Sequence, residues 1–298
     1  SKGSDNTLLI SGKFQQYKKD IPYFALVEAF EELVDILLLS DQKVLDQFRL
    51  DFSQNLGDQG QVITSVLPKL EILVGKQKEV EKVLGEEAEN RFKYLFIKFL
   101  GMVAKPERPL ILFLDDIQWT DLVSLNVLRS VFQSEIKHLM VILSFRDNEV
   151  GKNHPFTHFL NDMLKAKVQM INIEVNDLKP IDVDHLIKDS LNEENENLSR
   201  LVYQKTHGNS FFIHQFLKGL ADNDLFSWNK LSKSWSVDLD KANALEVSSN
   251  VVEFMQERLK KFPVESRDTL KIIGASGHNV NIDILLFISG LNKESLNS

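Results

Sequence analysis

Cysteine is absent from the 298-residue sequence, and its absence removes several kinds of chemistry. Without a thiol the chain can form no disulfide, offer no cysteine nucleophile and build no thiolate metal site. The seven histidines are scattered, and none stands in HExxH or another recognised ligand spacing, so we expect structural or solvent-facing roles for them. The lack of cysteine fits a reducing compartment, and we expect a cytoplasmic protein.

Long apolar runs and a surplus of basic residues are also lacking. No run approaches the roughly 18 apolar residues that a membrane span needs, and residues 1–15 show no basic flank followed by an apolar signal core. We therefore expect a soluble, unexported protein with no membrane partner. The formal net charge of -8 argues against a nucleic-acid partner, because phosphate backbones are bound chiefly by clustered Lys and Arg. A local basic patch is not excluded by the net charge.

The length of the chain favours more than one domain. Because 298 residues exceed the usual size of a single domain, we expect one large α/β domain and a smaller appended one. The chain begins Ser1-Lys2-Gly3 without an initiator Met and enters an apolar run at once. We expect its N-terminus to be cut out of something longer.

Apolar runs and helical periodicities alternate through the first 175 residues. A continuous apolar run between turn or acidic residues is typical of a strand buried on both faces of a parallel sheet. Predicted strands cover residues 7–10, 110–114, 139–145 and 168–175, and predicted helices cover 24–39, 92–103 and a stretch capped by Thr120 or Asp121. This alternation predicts βαβ units and an α/β fold with a parallel sheet.

The pattern changes to helices after Pro180. Predicted helices cover residues 182–191, 198–207 and 210–220, a β-hairpin joins 225–228 to 234–237, and two helices follow from Ser249. Trp228 and Trp235 are expected to pack across the hairpin rather than bind a ligand. We place domain boundaries near residues 180 and 248.

The segment that suggests chemistry is Leu110 to Asp121, LILFLDDIQWTD. In nucleotide-hydrolysing α/β proteins a buried strand carries acids at its C-terminal end. The first carboxylate holds Mg²⁺ and the second orients the attacking water. Asp115 and Asp116 fit these two roles by position. The alternative is that two acids simply end a strand and begin a turn.

This segment resembles the Walker B region of the signal-transduction ATPases (STAND) related to the AAA group. Five further segments resemble, in the same order, the ATPase module of large multi-sensor kinases. They are SGKF at 11–14, YKKDIPY at 17–23, NRF at 90–92, FRDNEV at 145–150 and GNSFF at 208–212. In those proteins the module lies between a Ser/Thr-kinase-like domain and GAF and histidine-kinase domains. The resemblance covers nearly the whole chain.

The resemblance implies an incomplete P-loop NTPase core at residues 1–178. A helical lid with a hairpin would follow at 179–248, and the start of a winged-helix-like segment at 249–298. It also implies ATP and Mg²⁺ as cofactors and covalently linked kinase and sensor domains as partners. Nucleotide-dependent self-association would be compatible with the same family.

Two further sites follow from the resemblance. Arg146 would be the sensor of the γ-phosphate, a role that suits the charge and fork of a guanidinium; the alternative is a surface pair with Asp147 or Glu149. Gly208 and Asn209 would lie near adenine, matching a GNP motif whose Pro is replaced here by Ser210. A helix C-cap at Gly208 followed by an N-cap at Ser210 explains these residues equally well.

The motif G-x-x-x-x-G-K-[ST], whose backbone N–H groups and lysine hold phosphates, does not occur in the sequence. By resemblance the loop should precede the strand at Thr7, so we expect the chain as given to bind Mg-ATP poorly or not at all. The favoured function is an ATP-dependent switch in a signalling kinase. The alternatives are a non-hydrolysing scaffold and a transcription regulator that has a helix-turn-helix domain downstream of Ser298.

Overall fold

The computed structural model describes residues 7–229, 234–244 and 262–276, together with single positions at 256, 259, 260, 282 and 286. The chain divides into two compact units, Ser1–Met170 and Ile171–Ser298. The first of the two helices predicted after Ser249 lies almost wholly outside the described residues. The assignment of core, lid and winged-helix domains with boundaries near 178 and 248 stays a prediction.

The described part of the first unit contains a three-stranded parallel sheet, ordered β1-β2-β3. Its strands are β1 (Leu8–Lys13), β2 (Leu110–Asp115) and β3 (Leu139–Leu143). The register sets Ile10 opposite Leu112, and Leu112 opposite Val141. Because the strands are parallel, their carboxyl ends meet at one edge of the sheet, where Lys13 and Asp115 are register partners. The predicted parallel α/β architecture is confirmed.

Helices pack around this sheet. They are α1 (Phe24–Leu38), α2 (Gln42–Leu56), α3 (Gly60–Thr64), α4 (Glu71–Val74), α5 (Glu86–Val103), α6 (Leu122–Phe132) and α7 (Pro155–Lys165). The ring of Phe30 on α1 lies 5.4 Å from those of Phe96 and Phe99 on α5, so the two helices share one aromatic core. The predicted helices at 24–39, 92–103 and after Asp121 are all present.

One edge of the sheet is covered by α1. The carboxylate of Glu32 accepts hydrogen bonds from the backbone N–H and the hydroxyl of Ser11, and that of Glu28 accepts one from the N–H of Lys13. These side chains satisfy outward-facing donors of β1, which would otherwise be free to pair with another strand. β3 forms the opposite edge of the described sheet.

The predicted strand at 168–175 is wrong. The segment has no regular secondary structure, and the exposed fractions of Ile171, Ile173 and Val175 are 83%, 79% and 92%. Apolar alternation predicts only that a segment could form one face of a sheet, and a strand needs a hydrogen-bonded neighbour. Within the described residues this segment has none, because the sheet ends at β3.

The second unit is helical with a hairpin. It contains α8 (Pro180–Leu191), α9 (Glu196–Thr206), α10 (Ser210–Asp222), β4 (Phe226–Asn229), β5 (Ser234–Val237), α11 (Leu239–Ala244) and α12 (Val264–Ser276). Val183, Val202 and Ile213 are buried in its separate core. The rings of Trp228 and Trp235 lie 5.3 Å apart across the antiparallel hairpin, as predicted. Among the described residues, no helix combines the length and apolarity that crossing a membrane requires.

Candidate functional site

The two predicted acids lie at the carboxyl end of the central strand. Asp115 is the last residue of β2, and Asp116 follows it in the left-handed region, with φ 52° and ψ 45°. A non-glycine residue adopts this conformation at some cost in energy, although Asp tolerates it better than most residues. The Asp116 side chain is nevertheless buried. Backbone strain and a buried acid are features that functional sites often share.

Lys13 joins the acidic pair from the neighbouring strand. Its Nζ lies 2.6 Å from Oδ2 of Asp115 and 2.6 Å from Oδ2 of Asp116. The contact with Asp115 is a hydrogen bond, whereas Oδ2 of Asp116 is buried and has no hydrogen-bond partner of acceptable geometry. The contact with Asp116 is therefore a short ion pair without a hydrogen bond. From the sequence, Lys13 was identified only as part of the segment SGKF at 11–14, which resembles the ATPase module. It was not predicted to be a site residue.

Ser144 and Gln118 hold the other carboxylate oxygens. Ser144, directly after β3, donates its hydroxyl to Oδ1 of Asp115. That same oxygen accepts a bond of 3.0 Å from the backbone N–H of Asp116. The buried amide of Gln118 donates to Oδ1 of Asp116 at 3.1 Å. Residues from β1, β2 and the end of β3 therefore orient one pair of carboxylates.

Arg146 reaches the same cluster from beyond β3. Its Nε lies 3.4 Å from Oδ1 of Asp116, and its Nη1 donates to Oε1 of Glu149 at 3.2 Å. The guanidinium also lies 5.3 Å from the ring centre of Trp119, within the range of a cation–π contact. The surface pair with Glu149 is thus present together with the contact to the acid. More than half of the Arg146 side chain is exposed, at 55%.

The contacts of Lys13 and Asp115 change their acidity in opposite directions. The hydrogen bond to Asp115 and the close contact with the Asp116 carboxylate raise the pKa of Lys13 above its ordinary value, against the opposing effect of burial. Burial would raise the pKa of Asp115, but the hydrogen bonds from Lys13 and Ser144 outweigh it and hold this pKa below its ordinary value. Lys13 and Asp115 are therefore both charged over a wide range of pH.

The acidic pair suits a magnesium ion that is shared with phosphate. Mg²⁺ usually takes one or two carboxylates, keeps several waters and completes its shell with substrate phosphates. Asp115 and Asp116 supply such a partial set, and Oδ2 of Asp116 is a buried oxygen that has no hydrogen bond and is in contact with the Lys13 ammonium group. No group of three or more His, Asp or Glu side chains in the described part of the chain forms a complete protein cage. Nucleotide would therefore have to contribute ligands.

Gly208 and Asn209 have local structural roles in the second unit. Gly208 has φ +84°, and a Cβ there would lie 1.9 Å from the carbonyl oxygen of Leu178, so only glycine fits. The side chain of Asn209 caps α10 by accepting from the N–H of Phe212 at 3.3 Å. The N-cap is thus Asn209 and not Ser210, which is the first residue of the helix. A contact of Gly208 and Asn209 with adenine stays a prediction.

Three residues of this cluster were missed by the sequence analysis, and they are Lys13, Gln118 and Ser144. Lys13 and Ser144 come from strands that are far apart in sequence, so only the parallel register brings them to Asp115. The one available signal was position, because Lys13 and Ser144 lie close to the ends of the strands predicted at 7–10 and 139–145. That signal could have identified Lys13 and Ser144 but not Gln118.

Comparison with known proteins agrees with the α/β fold. Residues 2–142 match the family model described as the AAA ATPase domain. The chain is also 27% identical, over 360 aligned residues, to the hybrid signal transduction histidine kinase G of Dictyostelium discoideum. That alignment covers 98% of this chain and 10% of the relative, so the chain spans about a tenth of the length of the curated protein it matches.

The matched region contains β1, β2 and most of β3, and with them Lys13, Asp115 and Asp116. The architecture is α/β, with a parallel sheet of the P-loop NTPase type surrounded by helices. The chain is therefore similar to an AAA-type ATPase module of a signalling protein.

Proposed function

We propose that this chain is part of an ATP-dependent regulatory switch in a signal-transduction kinase. The observation that carries the proposal is the convergence of Asp115, Asp116 and Arg146 at the carboxyl end of the sheet. Two acids and a guanidinium at this edge are the groups that phosphoryl transfer uses, because it depends on positioning and charge stabilisation. The similarity to a hybrid histidine kinase supports the signalling context.

Each residue has a distinct role in this proposal. Asp115, kept ionised by its hydrogen bonds, would hold Mg²⁺, which when bound neutralises charge on the transferred phosphoryl group. Asp116 would accept a hydrogen bond from the attacking water and orient it. Gln118 fixes the Asp116 carboxylate through a bond of 3.1 Å. Arg146 is exposed enough to turn from Glu149 toward a γ-phosphate and report its presence.

Phosphate binding needs a further segment, since the sequence contains no G-x-x-x-x-G-K-[ST]. We propose that residues preceding the present chain in the longer protein supply this loop. Two observations support this idea. The relative is about ten times the length of this chain, and β3 is an edge strand of the described sheet, which leaves an edge where a further parallel strand could pair.

The test is a Mg-ATP titration by calorimetry of this chain beside a version extended upstream by about 50 residues, enough for a further strand, the loop and a helix. We expect binding by the longer chain only. As a control, the longer chain with its loop lysine replaced by alanine should lose binding. If the longer chain also fails to bind, the ATPase proposal is wrong.

A second function is favoured by Lys13, which already neutralises part of the acidic pair. The fold could then be a non-hydrolysing scaffold for partner binding or self-association. The upstream sequence separates the two functions, because an intact loop motif supports the switch and a degenerate one supports the scaffold. Sedimentation of the longer chain with and without Mg-ATP tests the self-association.

A further inference from the structure

We propose that Lys13 is a built-in cation of the Asp115–Asp116 pair, which a divalent metal must displace in order to bind. This inference rests on the proposed function, because it concerns the metal site of that function. It adds a regulatory step, in which the metal-free site is held closed by the protein's own ammonium group and opens when Lys13 leaves.

The position of Lys13 Nζ carries the argument. It lies 2.6 Å from one oxygen of each acid, so it occupies the point between the carboxylates where a shared cation would lie. One of those oxygens, Oδ2 of Asp116, is buried and has no other partner. Two adjacent carboxylates repel each other unless a positive charge lies between them. Lys13 provides this charge in the absence of metal.

The connection of Lys13 to the fold explains why it can both reach the acids and leave them. Its backbone is fixed, because it is the last residue of β1, pairs in register with Asp115 and donates its N–H to Glu28 at 2.6 Å. Its side chain is flexible and 50% exposed. A long lysine side chain on a rigid strand can therefore exchange the acids for water without any change in the sheet.

The Lys13–acid contact differs in kind from an ordinary surface ion pair. Lys78 and Asp58, for comparison, form a pair in which both side chains are about 80% exposed, and water can replace either partner. At the site the Asp116 side chain is only 7% exposed. Removal of Lys13 therefore leaves the buried Asp116 carboxylate with the longer contact to Arg146 Nε, at 3.4 Å, and another cation should take the place of the ammonium group.

The experiment measures Mn²⁺ binding to the 298-residue chain without nucleotide, by electron paramagnetic resonance of the free ion. We expect weak binding by the wild type and binding at least about fivefold tighter by Lys13→Met, because a competing charge has been removed. Lys13→Arg, which keeps the charge, should stay as weak as the wild type. Lys19→Met, at an exposed position nearby, should not change the affinity. The double variant Lys13→Met/Asp115→Asn should lose the gain.

A second measurement uses the unaltered protein and so does not depend on a variant folding. Acetylation of Lys13 by an amine-reactive reagent, followed by mass spectrometry, should become severalfold faster when Mn²⁺ is added. Acetylation of Lys19 should be unaffected. Equal or weaker Mn²⁺ binding by Lys13→Met overturns the proposal, as does an acetylation rate that does not respond to Mn²⁺.

These outcomes are separable from the test of ATP binding. A longer chain that fails to bind Mg-ATP refutes the ATPase function, even where Mn²⁺ displaces Lys13. A longer chain that binds Mg-ATP while Lys13→Met leaves Mn²⁺ affinity unchanged supports the ATPase function and refutes the displacement of Lys13.

Discussion

Gly12 on β1 lies directly against the backbone of Ala25 on α1. A Cβ at Gly12 would be 1.9 Å from the carbonyl oxygen of Ala25, so no other residue allows the helix to approach the strand this closely. The close approach lets Glu28 and Glu32 reach the outer N–H groups of β1. It therefore fixes the strand that carries Lys13 to the acidic pair.

Replacement of Gly12 by Ala should strongly destabilise the first unit. The added methyl group meets backbone atoms that cannot rotate away, and we expect a loss of about 3 kcal/mol or more in the free energy of unfolding. Urea unfolding followed by circular dichroism measures the change. Gly101→Ala is the matched control. Nothing lies within 4 Å of a Cβ at this exposed helical position, so it should stabilise by up to about 1 kcal/mol. Equal effects at the two sites would contradict this account.

Replacement of Asp116 by Asn in the extended chain should separate binding from hydrolysis. The amide has the same shape but cannot act as a base or carry the charge. We expect Mg-ATP still to bind, because Asp115 remains as a metal ligand, and hydrolysis to become at least roughly 100-fold slower. Phosphate release measures turnover, and calorimetry measures affinity. Asp20→Asn, at an exposed position outside the strands, should change neither. Unchanged turnover in Asp116→Asn would remove the proposed role of Asp116.

Replacement of Asp121 by Ala should remove a working helix cap. Its Oδ1 accepts from the N–H of Ser124 at 2.7 Å, and its Oδ2 accepts from the Ser124 hydroxyl, which is buried. We expect a loss of about 1–2 kcal/mol in unfolding free energy. Asp41→Ala is the control, because Asp41 precedes α2 without capping it through its side chain and should cost under about 0.5 kcal/mol. Thermal unfolding measures the loss of stability in both variants. An equal loss in Asp41→Ala and Asp121→Ala would contradict the capping role of Asp121.

Alkaline pH should destabilise the fold partly through Tyr23. Its burial, and then the charges of Glu89 and Asp121, raise the pKa of the phenol from 10.0 to about 12. A pKa raised by folding contributes stability that is complete below pH 10 and is lost as the pH rises toward 12. Urea unfolding at pH 9 and pH 11 should therefore show a smaller fall in stability for Tyr23→Phe than for the wild type. We expect a difference on the order of 1 kcal/mol or less, since the ring is only half-buried. Equal losses in the two proteins would exclude this role for Tyr23.

Helices with one broad apolar face, such as α1 and α5, could be predicted from the sequence. The helices α2 and α7 were not predicted, although their buried residues recur at helical spacing: Phe48, Phe52 and Leu56 on α2, and Phe156, Phe159 and Met163 on α7. The strand predicted at 168–175 failed for a different reason, since strand formation depends on a partner that local sequence does not contain.

The sequence by itself determined the β2 strand, the position of Asp115 and Asp116 at its end, and the lack of a phosphate-binding loop motif. These are local properties, because an uninterrupted apolar run followed by two acids has few other solutions in an α/β fold. Only the tertiary structure decided that Lys13, more than 100 residues earlier in the chain, lies between the two acids. Parallel pairing aligns the ends of strands that are distant in sequence, and nothing in either segment alone specifies this register.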